Sequence, residues 1–146
     1  MLANLPGYPS RLSPSGDGAA WLCLFAPRNR LIEFILQEDN YRAAMLAEVE
    51  PKFWIAPALA TRRSFLEPLQ CGGVTTMGIS KAWAPTRSYG LLVRLDRDMQ
   101  PVASLHSRSN GHRHGITSAV EVSGHVMAAS RGGDAIVGMN AAAEAR

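Results

Sequence analysis

Short apolar runs separated by turn residues dominate the second half of the chain. Residues 88–140 hold segments of strand length that alternate with polar, glycine-containing turns. The predicted strands are Tyr89–Leu95, Pro101–His106, Ile116–Val122, His125–Ser130 and Ala135–Met139. The predicted turns and loops are Asp96–Asp98, Ser107–His114, Ser123–Gly124 and Arg131–Asp134. The pattern predicts an antiparallel β meander, in which Ser123 and Gly124 close a tight hairpin.

The N-terminal segment, residues 1–28, contains one further predicted strand. Proline and glycine punctuate it up to Gly18, which predicts loop and turn structure. Ala19–Phe25 is then a continuous apolar and aromatic run, and Pro27 ends it, so we expect a buried strand. Cys23 lies in this run. We expect Cys23 and Cys71 to be reduced thiols, one of them a small core residue.

Residues 29–87 differ from the rest, because their pattern is first helical and then irregular. Asn29 is a good N-cap residue, and apolar residues recur at helical spacing across Arg30–Val49. We expect Asp39–Asn40 to divide this helix and Pro51 to stop it. The remainder is rich in proline and glycine, with bulky side chains at Phe53, Trp54, Phe65 and Trp83. It is expected to form a long ordered loop that covers an apolar surface, or a functional loop or lid.

The composition is that of a single globular domain rather than a disordered chain. Of the 146 residues, 47% are hydrophobic and 18% are charged, which is enough apolar content for a core. The net charge is +3, but the basic residues are scattered, so we expect no nucleic-acid partner. No run reaches the roughly 18 apolar residues of a membrane span, and the first residues do not have the pattern of a signal peptide. The localisation stays open.

Histidines cluster around the loop between the second and third strands of the meander. His112 and His114 alternate along an extended segment with His106 nearby, and three imidazoles can bind zinc. No carboxylate orients them, so a solvated or hydrogen-bonded loop, or the polar rim of a ligand pocket, is the favoured interpretation, and we expect no metal. A triad of His114, Ser118 and Glu121 is disfavoured, because no nucleophile elbow surrounds it.

Three segments of the chain resemble the strictosidine-synthase-like family. Leu5–Asn29, with its Gly-Tyr-Pro run followed by Asp-Gly and a Trp-bearing strand, is similar to a strand-opening segment of that family. Ser88–Asp96 and Ser104–Val137 are similar to its two final blades, and Arg30–Arg87 is similar to the insertion of its bacterial members. The resemblance covers nearly the whole chain and implies a six-bladed β-propeller related to gluconolactonases and paraoxonases.

The expected fold is therefore mainly β: a partial β-propeller, roughly the last blades, with a helical and Pro/aromatic-rich insertion. Residues 1–146 would form one piece of the propeller domain. Four strands make a blade, so the strands predicted here do not complete a ring. The resemblance implies that the missing propeller blades come from the same parent chain or from self-association.

The chain departs from the family at the two places that carry its chemistry. The plant enzymes condense an amine with an aldehyde and use a glutamate as general base, and the resemblance places Thr117 at that position. A threonine hydroxyl cannot take a proton near neutral pH. The related hydrolases hold a catalytic Ca²⁺ with Asn, Asp and Glu oxygens, whereas Ser10 and Arg11 stand where the family has Asp-Asn. We therefore expect no tight calcium site and no other cofactor.

Two functions follow from the resemblance. One is an enzyme, a strictosidine-synthase-like lyase or lactonase-like hydrolase that acts on a small molecule. The other is a non-catalytic small-ligand-binding or interaction module, which Thr117 and Ser10–Arg11 favour; a fragment without independent activity is a further alternative. Cations on converging loops would suit an anionic small-molecule ligand. The candidate ligand-binding residues are Arg11, His106, Arg108, Arg113 and His114.

Overall fold

The computed structural model describes residues 2–57, 59, 75–76, 79–80, 87–107 and 112–141. The strands within these ranges are β1 (Gly7–Pro14), β2 (Ala20–Pro27), β3 (Thr75–Thr76), β4 (Ile79–Ser80), β5 (Leu91–Leu95), β6 (Pro101–His106), β7 (Ile116–Val122), β8 (His125–Ser130) and β9 (Ala135–Asn140). The helices are α1 (Arg30–Gln37) and α2 (Asp39–Glu48), followed by a 3₁₀ turn at Pro51–Phe53. The prediction of a mainly β chain is confirmed.

Four strands form the larger sheet, in the order β1-β2-β5-β6, with every neighbouring pair antiparallel. β2 is its central apolar strand, and residues 20–24 are all buried. Trp21 and Cys23 point to one face, where they join the core between the two larger sheets, while Leu22 and Leu24 point to the other. Burial on both faces explains why β2 is a continuous apolar run rather than an alternating one.

β7, β8 and β9 form a separate antiparallel meander in the order β7-β8-β9. Val122 pairs with His125, so Ser123 and Gly124 form the two-residue turn between them. Both turn residues have a positive φ, 50° at Ser123 and 74° at Gly124, as the tight hairpin turn requires. The hairpin predicted at this position is confirmed. A short two-stranded ribbon, β3 with β4, is the third sheet of the described residues.

The segment before Gly18, predicted as loop, instead contains β1, and this prediction was wrong. β1 lies at the edge of the larger sheet, and its pairing with β2 shifts register on both sides of Pro9. Proline has no N–H to donate, so an edge strand tolerates it where a central strand would not. Gly7 is needed at the start, because a Cβ there would collide with the carbonyl of Ala26.

The helices begin where the sequence predicts and divide close to the predicted place. The Asn29 side chain accepts hydrogen bonds from the backbone N–H groups of Leu31 (2.9 Å) and Ile32 (3.3 Å), so Asn29 is the N-cap. The break falls at Glu38, just before the predicted Asp39–Asn40. Most of the predicted loop up to residue 87, including Phe65, Cys71 and Trp83, lies outside the described residues.

The two larger sheets pack against each other through one apolar core. The larger sheet contributes Trp21, Cys23, Leu92 and Leu105, and the three-stranded sheet contributes Ile116, Ala119, Val126 and Ala128. Cys23 is fully buried and free, as expected for a core thiol. Burial raises the pKa of its thiol to about 11, against a smaller opposing effect of Arg11, so the thiol is protonated at neutral pH.

The opposite face of the larger sheet carries a second apolar cluster. It contains Ala20, Leu22, Leu24, Val93 and Leu95, and Leu2 and Leu5 of the N-terminal segment pack against it. The larger sheet therefore carries buried apolar side chains on both of its faces. Neither helix in the described ranges has the length and apolar character that crossing a bilayer needs.

Candidate functional site

β1 is the first strand of the larger sheet and β7 is the first strand of the three-stranded sheet, and each of these sheets is an antiparallel meander. The two strands lie side by side. Ser10 Oγ donates a hydrogen bond to the carbonyl oxygen of Thr117 (2.8 Å), and Ser15 Oγ donates to Glu121 Oε2 (2.8 Å). The contacts occur in the same order along both segments, so β1 and β7 run in the same direction. This junction brings Arg11 of β1 close to the polar start of β7.

Glu121 connects the two sheets at the junction. Trp21, which is only 1% exposed, donates its indole N–H to Glu121 Oε2 (2.7 Å), the same oxygen that accepts the Ser15 hydroxyl. A buried indole N–H needs an acceptor, and a carboxylate oxygen is a strong one. Glu121 therefore has a structural role, which the sequence analysis did not find.

A β-bulge explains why Glu121 faces inwards. The pairing of β7 with β8 shifts register between Ile116 and Ser118. Ile116 and Ala119 consequently both face the core, three residues apart, and Glu121 follows at the normal spacing of two. The signal in the sequence is a carboxylate two residues after a buried alanine, but the bulge hides it from simple alternation.

Arg11 lines a groove that runs from β1 across the outer face of the three-stranded sheet. The groove has a volume of about 520 Å³, and its other lining residues include Ser13, Ser118, Val120 and Met127. Arg11 is exposed, and no acidic side chain of the described residues bonds to its guanidinium. The groove thus combines one cation and hydroxyl groups with an apolar wall.

Thr117 lies at this junction, but its surroundings do not make a proton-transfer site. Its carbonyl oxygen accepts the Ser10 hydroxyl, and the carboxylate on the same strand, Glu121, is engaged by Trp21 and Ser15. The donor set also does not fit calcium. Arg11 has a guanidinium, which cannot ligate a cation, and the Ser10 hydroxyl is directed to Thr117.

His114 lies in the loop just before β7 and is buried, so its side chain is not available on the surface to bind a ligand. Its ring Nδ1 lies 2.5 Å from Ser88 Oγ, and Ser130 Oγ donates to its carbonyl oxygen (2.8 Å). Its ring also packs against Gly132, where a Cβ would collide with it. Burial lowers the pKa of His114, against a smaller opposing effect of a hydrogen bond with the Gly132 backbone. The imidazole is therefore neutral at pH 7.

His106 and Arg113 lie together, but apart from Arg11. They line a small cavity of about 70 Å³ with residues such as Gly90 and Leu105, and it shares no lining residue with the Arg11 groove. His106 is exposed and contacts the hydroxyls of Ser104 (3.1 Å) and Tyr89 (3.3 Å).

The candidate ligand residues are thus divided rather than gathered in one site. Arg11 lines the groove, His106 and Arg113 line the small cavity, His114 is buried, and Arg108 lies outside the described residues. In the described part of the chain, no group of three or more His, Cys, Asp or Glu side chains is placed to hold a metal ion. The bonds of His114 and Glu121 go to different partners, so they do not form a triad with Ser118.

Comparisons with known proteins do not assign the chain to a family. No family model matches the chain, and no curated protein or solved structure was found to be similar to it.

Proposed function

We propose that this chain is a non-catalytic ligand-binding part of a strictosidine-synthase-like β-propeller. Its ligand is a small molecule with an anionic head and an apolar body, held in the Arg11 groove. The observation that carries the proposal is the β1–β7 junction, where Arg11 borders an open groove without an acidic partner among the described residues.

The arrangement of the two meanders supports the propeller interpretation. Successive blades of a propeller place their first strands around a common axis, all running in the same direction. β1 and β7 are each the first strand of an antiparallel meander, lie side by side and run in the same direction.

The chemistry of the groove supports binding rather than catalysis. A guanidinium binds carboxylate oxygens in a bidentate manner, and Ser13 and Ser118 supply hydroxyl groups beside it. Val120 and Met127 offer an apolar wall for the rest of the ligand. Thr117 has no basic group, and Glu121 is held by Trp21 and Ser15, so no proton acceptor for an amine–aldehyde condensation is assembled among these residues.

Calorimetric titration with octanoate and with 1-octanol tests the proposal, because the two probes share a chain length and differ in charge. We expect octanoate to bind about tenfold or more tightly than 1-octanol. Arg11→Gln should weaken octanoate binding by about tenfold or more, since a hydrogen bond to a charged group contributes roughly 1.5–3 kcal/mol.

Arg131→Gln is the matched control. It removes the same charge from an exposed arginine that does not line the groove. Octanoate affinity should therefore stay within about twofold of the wild-type value. Equal octanoate affinity in the wild type and in Arg11→Gln would contradict the proposal. Equal affinity for octanoate and 1-octanol would contradict it as well.

A further inference from the structure

A second pocket lies under the helical segment, away from the Arg11 groove. Ile32 and Ile35 of α1 and Met45 of α2 form one side, and Tyr8 and Phe25, at the ends of β1 and β2, form another. Residues 54–57 close the third side. Three separate elements therefore border the space, which opens to solvent on its remaining side and has a volume of about 300 Å³.

The polar atoms around this pocket already have partners within the protein. The indole N–H of Trp54 donates to the Val49 carbonyl (2.7 Å). The Tyr8 hydroxyl is bonded to the backbone of Asn29, whose N–H lies 3.2 Å from it. What the walls present to the interior is therefore almost entirely apolar and aromatic surface.

The one charged residue of the lining, Arg42, is also satisfied. Its guanidinium donates to the Leu36 carbonyl (2.6 Å) and to Asp39 Oδ1 (2.7 Å). An anionic ligand would have to compete with Asp39 for this charge. An uncharged ligand leaves both bonds intact and gains from the apolar walls.

The size of the pocket limits the ligand further. A buried cavity of roughly 150 Å³ lined by apolar side chains binds benzene, and this pocket has about twice that volume. Tyr8, Phe25 and Trp54 supply aromatic rings for offset or edge-to-face contacts with a ring system.

We propose that this pocket binds an uncharged, apolar small molecule of about two fused rings. The site is independent of the function proposed for the Arg11 groove. Binding buries aromatic and aliphatic surface against Phe25, Ile35 and Met45 and needs no hydrogen bond from the protein.

The test uses two probes with the same ring system, naphthalene and naphthalene-2-sulfonate. Saturation-transfer NMR measures the binding of each probe to the full chain. We expect naphthalene to bind and the sulfonate to bind about tenfold more weakly or not at all, because Arg42 of the lining already donates to Asp39 and to the Leu36 carbonyl. Ala56→Leu places a larger side chain in the lining and should weaken naphthalene binding about tenfold or more.

Ala43→Leu is the matched control, because it makes the same change at an exposed position of α2 that does not line the pocket. It should leave naphthalene affinity within about twofold, as should Arg11→Gln, which separates this site from the groove. If Ala56→Leu loses its far-UV circular dichroism, the smaller Ala56→Val replaces it. No naphthalene binding, equal binding in Ala56→Leu and Ala43→Leu, or a preference for the sulfonate would each overturn the proposal.

Discussion

The two larger sheets differ in how many of their faces are covered. The four-stranded sheet has a buried apolar cluster on each face, one shared with β7–β9 and one closed by Leu2 and Leu5. Among the described residues, the three-stranded sheet is covered on one face only. Its outer face presents Val120, Val122, Met127 and Ile136, which are 50%, 58%, 40% and 73% exposed.

This difference assigns a role to each sheet. In the larger sheet, residues 20–24 of β2 are buried, and their side chains alternate between the two apolar clusters. The smaller sheet is an outer layer with an apolar surface and, in β9, an edge strand that has no further partner in the described residues. Apolar sheet faces with open edges are typical of surfaces that another β structure covers.

The inner and outer faces of the three-stranded sheet should respond very differently to the same truncation. Val126→Ala removes two methyl groups from a side chain with 0% exposure and should lower the free energy of unfolding by about 2 kcal/mol. Val122→Ala makes the same change on the outer face and should cost less than about 0.5 kcal/mol. Urea unfolding followed by circular dichroism measures both. Equal effects would mean that the two faces do not differ in coverage.

Removing the carboxylate that links the sheets should have the next largest effect. Glu121→Ala leaves the buried Trp21 indole without its acceptor and should cost about 1–3 kcal/mol of unfolding free energy. Glu121→Gln keeps an acceptor oxygen and should cost less. The role assigned to Glu121 is refuted if Gln and Ala are equally destabilising in urea unfolding, or if neither changes stability.

Acidification should lower the free energy of unfolding through His114. Burial lowers the pKa of His114 in the folded state, so the unfolded chain takes up the proton more readily. Its contribution to stability is complete above the ordinary histidine pKa of about 6.5 and declines as the pH falls from there towards the lower folded-state value. Urea unfolding at several pH values should show this decline, and His114→Gln should reduce it.

The measurement compares the wild type with His114→Gln at each pH, so the difference isolates the contribution of this one side chain. A wild-type pH dependence that survives in His114→Gln would show that another group is responsible.

A charge on the outer face should affect association and leave folding nearly unchanged. Ile136→Lys alters the most exposed of the large apolar side chains there and should change the unfolding free energy by less than about 0.5 kcal/mol. It should reduce self-association in sedimentation velocity, because a lysine on the face or edge of a sheet opposes pairing with a second copy. Ala43→Lys on α2 adds the same charge elsewhere and should not. Equal association of these two variants would mean that this face is not the contact.

Local features of the sequence were sufficient to predict those elements whose structure depends on residues that are neighbours in the chain. Ser123 and Gly124 tolerate the positive φ of the hairpin turn, and the Asn29 side chain reaches the N–H groups two and three residues on. The strands of the meander could be predicted for the same reason, since turn residues and apolar runs alternate within a few positions.

The candidate site could be predicted only as a set of residue types. The sequence identified Arg11 as a candidate residue for binding an anionic ligand and Thr117 as a position without a base, but neither prediction located the groove. His106, Arg113 and His114 were expected on converging loops, whereas the fold directs them to a small cavity and to a buried position. Their sequence proximity says nothing about which side of the sheet each side chain faces.

The sequence by itself determined that the chain is mainly β. It also determined the position of the hairpin turn and the residue at which the helices begin, because these features depend on backbone preferences over a few residues. Only the tertiary structure decided that the Pro-containing segment at Gly7–Pro14 is an edge strand, since its pairing with β2 involves partners outside that segment. Only the tertiary structure, too, joined Trp21 and Ser15 to Glu121, a hundred or more residues away. A buried indole N–H must find an acceptor, and which one it finds depends on how the two sheets pack, not on the residues beside it in the chain.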